Sequence, residues 1–565
     1  MYEKVEGVVG NSATPFFMDF PLEHSAHSMK LLGSGLKKQP LVFASLAYLA
    51  LPYAIFFFGY LRWYLALICG ICLVLGLEFA LRIPVNVPRF TISISQLLLV
   101  LLAAFFFLIL AGVGGYGHQD GDWPKHTAVL DVLIQQAWPV SYSFSAEQGA
   151  VLPPLRTPLV YYIAYYLPAA IVGKLFGWFW ANQALFLWTY FGLCLALLWF
   201  AVLAHRLSFL TLLIVICFSG LDVIGLAIVR TVFLHEPLAF LHWEHIERWS
   251  GNWQYSANSS LLFWVPNQAL GGWIACGIIF SALFYGREKK GLIFYLALSP
   301  LWSPFVTLGL LPYFIADFFS GKKSWMTRVT QYLSFSNVIG VLLILVSVLF
   351  YSAKFYPIPL PLSPVSKGFV LTHPVVPGLS VIESVALLVL FVLFELLLYM
   401  FVIYASGLPL SAREQRFLQT TLIFLLILPL YRYGFWNDLV MRASIPGLCV
   451  LCIFTIRAFF YAVTNKRLVA VLAALLLLIG ALNSSIEFKR HIVKTYERAA
   501  LLVIPQAKEL HKVPAKKLNS SFFFQYIGSP DAPFFRWLTK PLGAAKRVIP
   551  VSELIEIYGP GSPRK

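Results

Sequence analysis

The chain has 565 residues, of which 59% are hydrophobic and only 12% are charged. Soluble proteins carry about 25% charged residues, and here apolar runs of about 20 residues recur. The composition therefore excludes a soluble protein and predicts an all-α polytopic membrane protein. The net charge of +17 is assigned to basic loops that contact the headgroups of membrane lipids, and no nucleic-acid partner is expected.

Apolar runs predict about 13 transmembrane helices after a cytoplasmic N-terminal segment over residues 1–40. The predicted spans are residues 41–61, 63–82, 94–115, 182–204, 207–229, 261–284, 291–302, 304–319, 333–353, 381–405, 417–433, 440–463 and 468–485. Residues 157–176 are also apolar, but a span there would move the basic cluster at 287–290 to the opposite side from Arg206. Because short cytoplasmic loops collect Lys and Arg, we predict an interfacial or re-entrant segment at 157–176.

This threading predicts a transmembrane domain over residues 41–485 and a small extracytoplasmic C-terminal domain over residues 486–565. The predicted outer loops are residues 116–181, 230–260, 354–380 and 432–440. These loops carry most of the polar residues that lie outside the basic cytoplasmic loops, so a functional site is expected on the outer face.

The first outer loop begins with a cluster of charge directly after an apolar run. It contains Asp120, Asp122, Lys125 and His126, and apolar residues recur at helical spacing from Lys125 to Trp138. We expect a helix along the membrane surface with Asp122 at its N-terminal end. A carboxylate there suits a general base or a ligand for a divalent metal, and the alternative is a solvated helix cap.

The second outer loop contains His242, Glu244 and His245. This cluster suits a metal or phosphate site, although its spacing matches no strict ligand motif. With Asp122, His242 and His245 are candidate ligands for Mg²⁺ or Mn²⁺. The alternative is a solvated loop face.

The short turn between the predicted spans 417–433 and 440–463 is unusually polar. It contains Arg432, Asn437, Asp438 and Arg442. Arginine at a bilayer edge binds lipid phosphate through paired hydrogen bonds, and the alternative is snorkelling to the headgroups.

The stretch from Asp122 to Val129 and the pair Ala137-Trp138 are followed by Arg156-Thr157-Pro158-Leu159-Val160-Tyr161-Tyr162 and by Lys174-Leu175-Phe176-Gly177. This pattern resembles the membrane-embedded glycosyltransferases of the GT-C fold, in particular the aminoarabinose-transferase and protein-mannosyltransferase branch. The chain departs from that branch at Trp123, where the family has a second acid that Asp120 would replace. It also has Arg156 where the family has lysine.

The resemblance implies a sugar donor linked to polyprenyl phosphate, such as undecaprenyl phosphate, and a lipid, glycan or protein acceptor. It implies polysaccharide or lipopolysaccharide synthesis for the cell envelope, with an active site on the periplasmic face of a bacterial inner membrane. Asp122, with Asp120 as a second acid, would activate the acceptor for inverting displacement. The donor phosphate would be held by Arg156, Lys125, His126, Arg432 and Arg442.

Two other functions remain open from the sequence. An O-antigen-ligase-type or polymerase-type transferase would use a lipid pyrophosphate donor and depend more on arginine and histidine. A polytopic lipid or sugar transporter would pair charges near the midplane of the membrane. The charges inside the predicted spans are few and not strung together, which favours an enzyme; they are Glu78, Asp222, Glu383 and Glu395.

Overall fold

The computed structural model describes most of the chain. The described residues are 40–83, 92–145, 155–235, 245–251, 253–286, 288–358, 367–370, 380–434, 436–497, 525–545 and 548–550. Among them, nine helices are long and apolar enough to cross a membrane. This confirms a mainly helical, polytopic membrane protein.

Twenty α-helices are present in the described part of the chain. They are α1 (Pro40–Tyr60), α2 (Trp63–Arg82), α3 (Ile94–Leu110), α4 (Trp123–Gln135), α5 (Leu167–Phe176), α6 (Trp178–Leu203), α7 (Phe209–Cys217), α8 (Asp222–Ile228), α9 (Asn258–Trp264), α10 (Pro266–Tyr285), α11 (Leu292–Ala297), α12 (Pro304–Phe318), α13 (Trp325–Tyr332), α14 (Phe335–Ser352), α15 (Val381–Val392), α16 (Leu398–Ser406), α17 (Ala412–Ile427), α18 (Asp438–Ala443), α19 (Ile445–Asn465) and α20 (Arg467–Glu497). The predicted spans at 94–115, 304–319 and 417–433 correspond to the shorter helices α3, α12 and α17, and that at 291–302 to α11.

Polar caps start several of the apolar helices. Ser93, Ser380 and Ser411 each accept a hydrogen bond from the backbone of the third residue of the helix they precede, and that residue's side chain bonds back to the serine backbone. Such a capping box satisfies two N–H groups that the helix itself cannot bond. Serine at these positions therefore fixes where α3, α15 and α17 begin.

The segment at 157–176 does not form a membrane span. After a short strand it forms α5, which has 10 residues. A helix of this length is about 15 Å long, roughly half the thickness of the hydrocarbon core. Helix α5 is thus too short to cross a membrane by itself, and it packs against α4 and α6.

The predicted outer loops meet one another at one end of the helices. Strand β1 (Ser141–Ser145) pairs with β2 (Leu155–Pro158) inside the first loop. Strand β3 (Lys367–Phe369) of the third loop pairs with β4 (Tyr431–Tyr433) of the fourth.

The described part of the C-terminal tail lies across the first outer loop. Strand β5 (Val548–Pro550) pairs in parallel with β1. The backbone of Val160 donates to Tyr526 at 2.8 Å, and Gly528 donates to Pro158 at 2.9 Å. Helix α20 passes without interruption through the domain boundary expected at residue 485. The tail is therefore packed against the transmembrane domain wherever it is described.

The predicted cytoplasmic loops meet at the other end. Arg413 donates to the carbonyl of Gly286 at 2.6 Å, and Lys289 pairs with Asp317 at 2.7 Å. Helix α10 connects the two ends, and its 20 residues give a length of about 30 Å. The two sets of loops that the charge rule separated are thus separated in the structure.

Two predicted spans are interrupted, one in the middle and one near its start. The span at 207–229 divides into α7 and α8, and that at 261–284 divides at Val265, ahead of Pro266. Proline has no N–H and cannot continue the hydrogen bonds of the preceding helix. The second break leaves carbonyl oxygens at the end of α9 available to the first outer loop.

Candidate functional site

The first turn of α4 is anchored on the broken end of α9. The indole Nε1 of Trp123 donates to the Phe263 carbonyl at 3.0 Å, and Nε2 of His126 donates to the Trp264 carbonyl at 2.8 Å. The Tyr166 hydroxyl donates to Nδ1 of His126. These bonds fix the direction in which the residue before the helix, Asp122, points.

His126 is a neutral residue that positions α4. Burial, with a further contribution from the charge of Lys125, lowers the pKa of His126 to about 3. Both ring nitrogens are engaged within the protein, so neither remains for a phosphate group. The prediction that His126 binds the donor phosphate is therefore withdrawn.

Asp122 lies at the start of α4 but does not cap the helix. Its side chain accepts no hydrogen bond from the helix backbone. Instead, its Oδ2 atom lies 2.7 Å from Nζ of Lys125. The Asp122 side chain is 28% exposed and that of Lys125 only 8%. The helix-cap interpretation is thus wrong for this side chain, which remains open to a ligand.

The charges around Asp122 keep it ionised. Burial alone would raise the pKa of Asp122, but Lys125 and Arg442 outweigh burial and lower the pKa below its ordinary value. The same ion pair outweighs burial at Lys125 and raises the pKa of that ammonium group. Both groups are therefore charged at neutral pH.

Helix α18 brings a second carboxylate and an arginine to the same place. Burial raises the pKa of Asp438 above its ordinary value, and the charge of Asp122 adds to this, against the opposing effects of Arg442 and Lys125. Two carboxyl groups with oppositely shifted pKa values thus share one site, an arrangement that separates acid and base roles in enzymes.

The turn before α18 brings the Asp438 carboxylate close to the backbone of Gly434. Asn437 adopts a left-handed backbone with φ of 62°, and its Oδ1 atom accepts a hydrogen bond from the Tyr433 backbone at 3.3 Å. Gly434 has φ of 94°, and a Cβ atom there would lie 2.3 Å from an Asp438 carboxylate oxygen. Glycine is thus required both by the backbone and by the packing of Asp438.

Arg248, from the second outer loop, completes the cluster of charge. Its guanidinium lies 3.8 Å from the ring centroid of Trp436, an arrangement that stabilises a cation. Asp122, Asp438 and Arg442 all lie within electrostatic range of Arg248. The sequence placed Arg248 in this loop but did not single it out as a site residue.

Tyrosines line the site, and the sequence did not identify them. Tyr161 packs on Tyr162 at 4.6 Å and on Tyr526 at 4.7 Å between ring centroids. Tyr161 interacts electrostatically with Lys125, and Tyr162 with Asp438. The pair Tyr161-Tyr162 was visible in the interfacial segment, whereas Tyr526 comes from the tail and no local pattern marked it.

Asp120 is separate from this cluster and belongs to a buried ion-pair network. Its Oδ2 atom lies 2.7 Å from Nε2 of His491, and its Oδ1 atom lies 2.7 Å from Arg490. The Asp120 side chain is 1% exposed. Asp120 joins the first outer loop to α20, so its predicted role as a second catalytic acid is replaced by a structural one.

The other predicted residues are dispersed. Arg156 is exposed in strand β2 and forms no ion pair with Asp122 or Asp438 in the described structure. Arg432 is half-buried in β4, opposite Gly368. His245 is exposed and packs edge-on against Trp264 at 4.7 Å. His242 and Glu244 lie outside the described residues.

Two groups of side chains contain carboxylates of the kind that bind a divalent metal. Asp120, Glu487 and His491 form the one group in the described residues whose ligand atoms lie within 4.8 Å of one another. Arg490 already forms ion pairs with both carboxylates of this group. At Asp122 the Lys125 ammonium takes the same position. These donor sets fit the protein's own cations rather than Mg²⁺ or Mn²⁺.

Comparisons of the chain with models of protein families, with curated proteins and with solved structures find no match. The chemistry of the site follows from its residues. An ionised carboxylate, a second carboxyl group with a raised pKa, three cations and a tyrosine wall meet at one end of the helices. Such a site can accept a proton from a nucleophile and stabilise a developing phosphate charge.

Proposed function

We propose that the protein is a membrane-embedded glycosyltransferase that moves a sugar from a polyprenyl-phosphate-linked donor to a lipid, glycan or protein acceptor on the extracytoplasmic face. The observation that carries the proposal is the meeting of Asp122 with Arg442 and Arg248, from three different outer loops. At this membrane edge, a carboxylate base can take the proton of the acceptor. The two arginines can bind the phosphate that leaves when the bond from the sugar to the phosphate breaks.

In the proposed reaction, an acceptor hydroxyl or amine attacks the anomeric carbon of the sugar. The bond from the nucleophile to this carbon forms while the bond from the carbon to the phosphate oxygen breaks. The nucleophile's proton passes to the Asp122 carboxylate, and the electron pair of the broken bond leaves with the lipid phosphate. Attack from the side opposite the phosphate inverts the configuration.

Arg442 and Arg248 are the proposed ligands of the leaving phosphate. Guanidinium groups bind phosphate oxygens bidentately and do not lose their charge at physiological pH. They would stabilise the negative charge that develops on the phosphate as the bond breaks. Such electrostatic stabilisation is usually the largest single contribution to catalysis. Arg156 is left out of this set because it forms no ion pair with Asp122 or Asp438 in the described structure.

Lys125 is assigned to Asp122 rather than to the donor. At 2.7 Å it holds the carboxylate in a fixed position and keeps it ionised. Tyr161, Tyr162 and Tyr526 would form an amphipathic wall, with rings for the sugar face and hydroxyl groups for its polar edge. The proposed location is the inner membrane of a bacterium, with the site facing the periplasm.

The proposal is tested with the purified protein in lipid vesicles and synthetic donors. With an acceptor extract, we expect release of polyprenyl phosphate from the monophosphate-linked sugar. This release should be faster than release of polyprenyl pyrophosphate from the pyrophosphate-linked sugar. Arg442→Ala should lower kcat/KM about 100-fold or more, because the positive charge that stabilises the leaving phosphate is lost. Arg156→Ala, a matched removal of one arginine, should change it less than threefold.

Preference for the pyrophosphate donor would instead support a ligase-type or polymerase-type transferase. Movement of intact donor across the vesicle membrane without bond cleavage would support a transporter. Equal losses in the two arginine variants would contradict the assignment of the phosphate site.

A further inference from the structure

An apolar groove opens between α11, α12, α13 and α14, with a volume of about 490 Å³. Its walls are apolar side chains that are largely exposed at the protein surface, among them Ile315, Phe319, Leu333, Val338 and Val341. The groove lies on the lipid-facing side of the helices, so a hydrocarbon chain is the kind of ligand that its walls suit.

The groove is at the end of the molecule opposite the candidate site. Helix α12 begins beside that site, where Phe305 packs on Tyr433 at 6.2 Å and on Tyr162 at 6.3 Å between ring centroids. It ends at Phe318 in the groove. Its 15 residues separate the two places by about 22 Å. The groove therefore faces the leaflet on the side predicted to be cytoplasmic.

The polar atoms of the groove are already satisfied. Asn337 accepts from the Ile293 backbone at 2.9 Å and donates to the carbonyls of Lys289 at 2.9 Å and Tyr332 at 2.7 Å. The Tyr332 hydroxyl donates to Asp317 at 2.7 Å. Because these polar groups are already hydrogen-bonded within the protein, an acyl chain in the groove would leave neither of them unpaired. The interior of the groove therefore suits an acyl chain.

The turn that leads into α13 is held by Arg328. Its guanidinium donates to the carbonyls of Ser320 at 3.3 Å and Gly321 at 2.7 Å, and also to Phe318. These bonds complete the C-terminal end of α12, whose last carbonyls lack helical partners. The short helix α13 is thereby fixed against the bundle, and the groove is formed before any ligand enters.

The rim of the groove is positively charged. Lys322 and Lys323 are exposed in the turn between α12 and α13, next to the groove residue Phe319. Asp317, at the end of α12 beside this rim, is already paired with Lys289 at 2.7 Å, and Glu288 lies 3.7 Å from Lys290. In the described structure Lys322 forms no ion pair, and Lys323 donates only to Gln331 at 3.1 Å. Two ammonium groups thus border an apolar groove without a carboxylate of their own.

We propose that this groove binds an anionic diacyl phospholipid of the adjacent leaflet. One acyl chain lies along α12 and α14, and the phosphate headgroup pairs with Lys322 and Lys323. Charge complementarity selects the anionic headgroup, since each basic residue near a membrane surface strengthens binding of anionic lipid about fivefold. This site is independent of the candidate transferase site and of the chemistry proposed there.

The test is native mass spectrometry of the purified protein, titrated with phosphatidylglycerol or with phosphatidylcholine of identical chains. The wild type should bind phosphatidylglycerol at least tenfold more tightly. The double variant Lys322→Gln/Lys323→Gln should lose that preference, while Lys466→Gln/Arg467→Gln, which removes two adjacent exposed charges outside the groove lining, should keep it.

A second variant tests the apolar part of the site. Val341→Trp fills the groove without changing charge and should lower binding of phosphatidylglycerol at least tenfold. Equal affinity for the two lipids, a preference that survives loss of both lysines, or undiminished binding by the folded tryptophan variant would each overturn the proposal.

Discussion

Asp120 and Asp122 are separated by one residue and have different environments. Asp122 is partly open and pairs with Lys125, whereas Asp120 is enclosed with His491 and Arg490. The sequence identified both acids but could not assign them, because the partner His491 lies 371 residues further along the chain. Pairing over such distances leaves no local pattern.

Asp120→Asn tests the structural role of the first acid. The change removes a charge from a buried ion pair and leaves Arg490 poorly compensated, so the free energy of unfolding should fall by about 3 kcal/mol. Thermal unfolding in detergent measures this loss. Residual turnover of the folded fraction should stay near the wild-type value; a large loss of turnover at unchanged stability would return Asp120 to the catalytic set.

The pH dependence of turnover tests the ionisation of Asp122. Its folded pKa lies below the ordinary value of 3.8, so the carboxylate that accepts the proton is present throughout the neutral range. We expect kcat/KM to be constant between about pH 5 and pH 8 with respect to this group, falling only as pH drops below its ordinary pKa. An acid limb centred near pH 6 would contradict the assignment.

The residues of the polar turn at 432–442 were found from sequence because so much charge in a short turn is unusual. Asp438 and Arg442 do join Asp122, whereas Arg156 does not. The GT-C resemblance favoured Arg156 because it stands where the family has lysine. In the structure that position belongs to strand β2, whose pairing with β1 sets its direction.

At the level of elements, the apolar runs predicted the long helices but not their breaks. Pro266 was visible in the sequence, yet a run of hydrophobic residues on both sides concealed the change of direction. The break is what lets Trp123 and His126 bond to α9. Hydropathy reports how favourably a segment transfers into the membrane. It does not report which backbone carbonyls will accept hydrogen bonds from a neighbouring segment.

The break between α7 and α8 is supported by a polar network around Glu247. Its Oε1 atom accepts from the Ala257 backbone at 2.9 Å, Ser260 at 2.6 Å and Asn483 at 2.7 Å. Its Oε2 atom accepts from Gln254 at 2.7 Å. Asn483 also donates to Ser219 in the break itself, at 3.1 Å. The network thus joins the second outer loop to α8 and α20.

Glu247→Ala should lower the free energy of unfolding by about 3 kcal/mol, because several buried donors lose their acceptor. Glu247→Gln, which keeps one acceptor oxygen, should cost less. Thermal unfolding of both variants measures the difference. Equal stability of the alanine variant and the wild type would show that the network does not hold the loop.

The same residue predicts a pH effect on stability. Burial, with the negative charge of Asp222, raises the pKa of Glu247 in the folded protein above its ordinary value of 4.5. The folded state then keeps a proton that the unfolded state releases, so this contribution to stability declines as pH rises above 4.5. Glu247→Gln should lose this part of the pH dependence of Tm.

At the scale of the whole molecule, the charge rule separated the loops into two sets, and the structure keeps those sets at opposite ends. The sequence could predict this because the bias of Lys and Arg acts on every short loop. It could not predict that residues 525–545 would lie across the first outer loop and supply Tyr526 to the site. That placement depends on strand pairing and packing between distant segments.

The central claim is that Asp122 is the base of a sugar transfer at this membrane edge. The most direct measurement is single-turnover release of polyprenyl phosphate in vesicles by the wild type, Asp122→Asn and Asp120→Asn, each normalised to folded protein. We expect a loss of about 1,000-fold for folded Asp122→Asn, with release nearly retained in folded Asp120→Asn. Wild-type release by folded Asp122→Asn would contradict it.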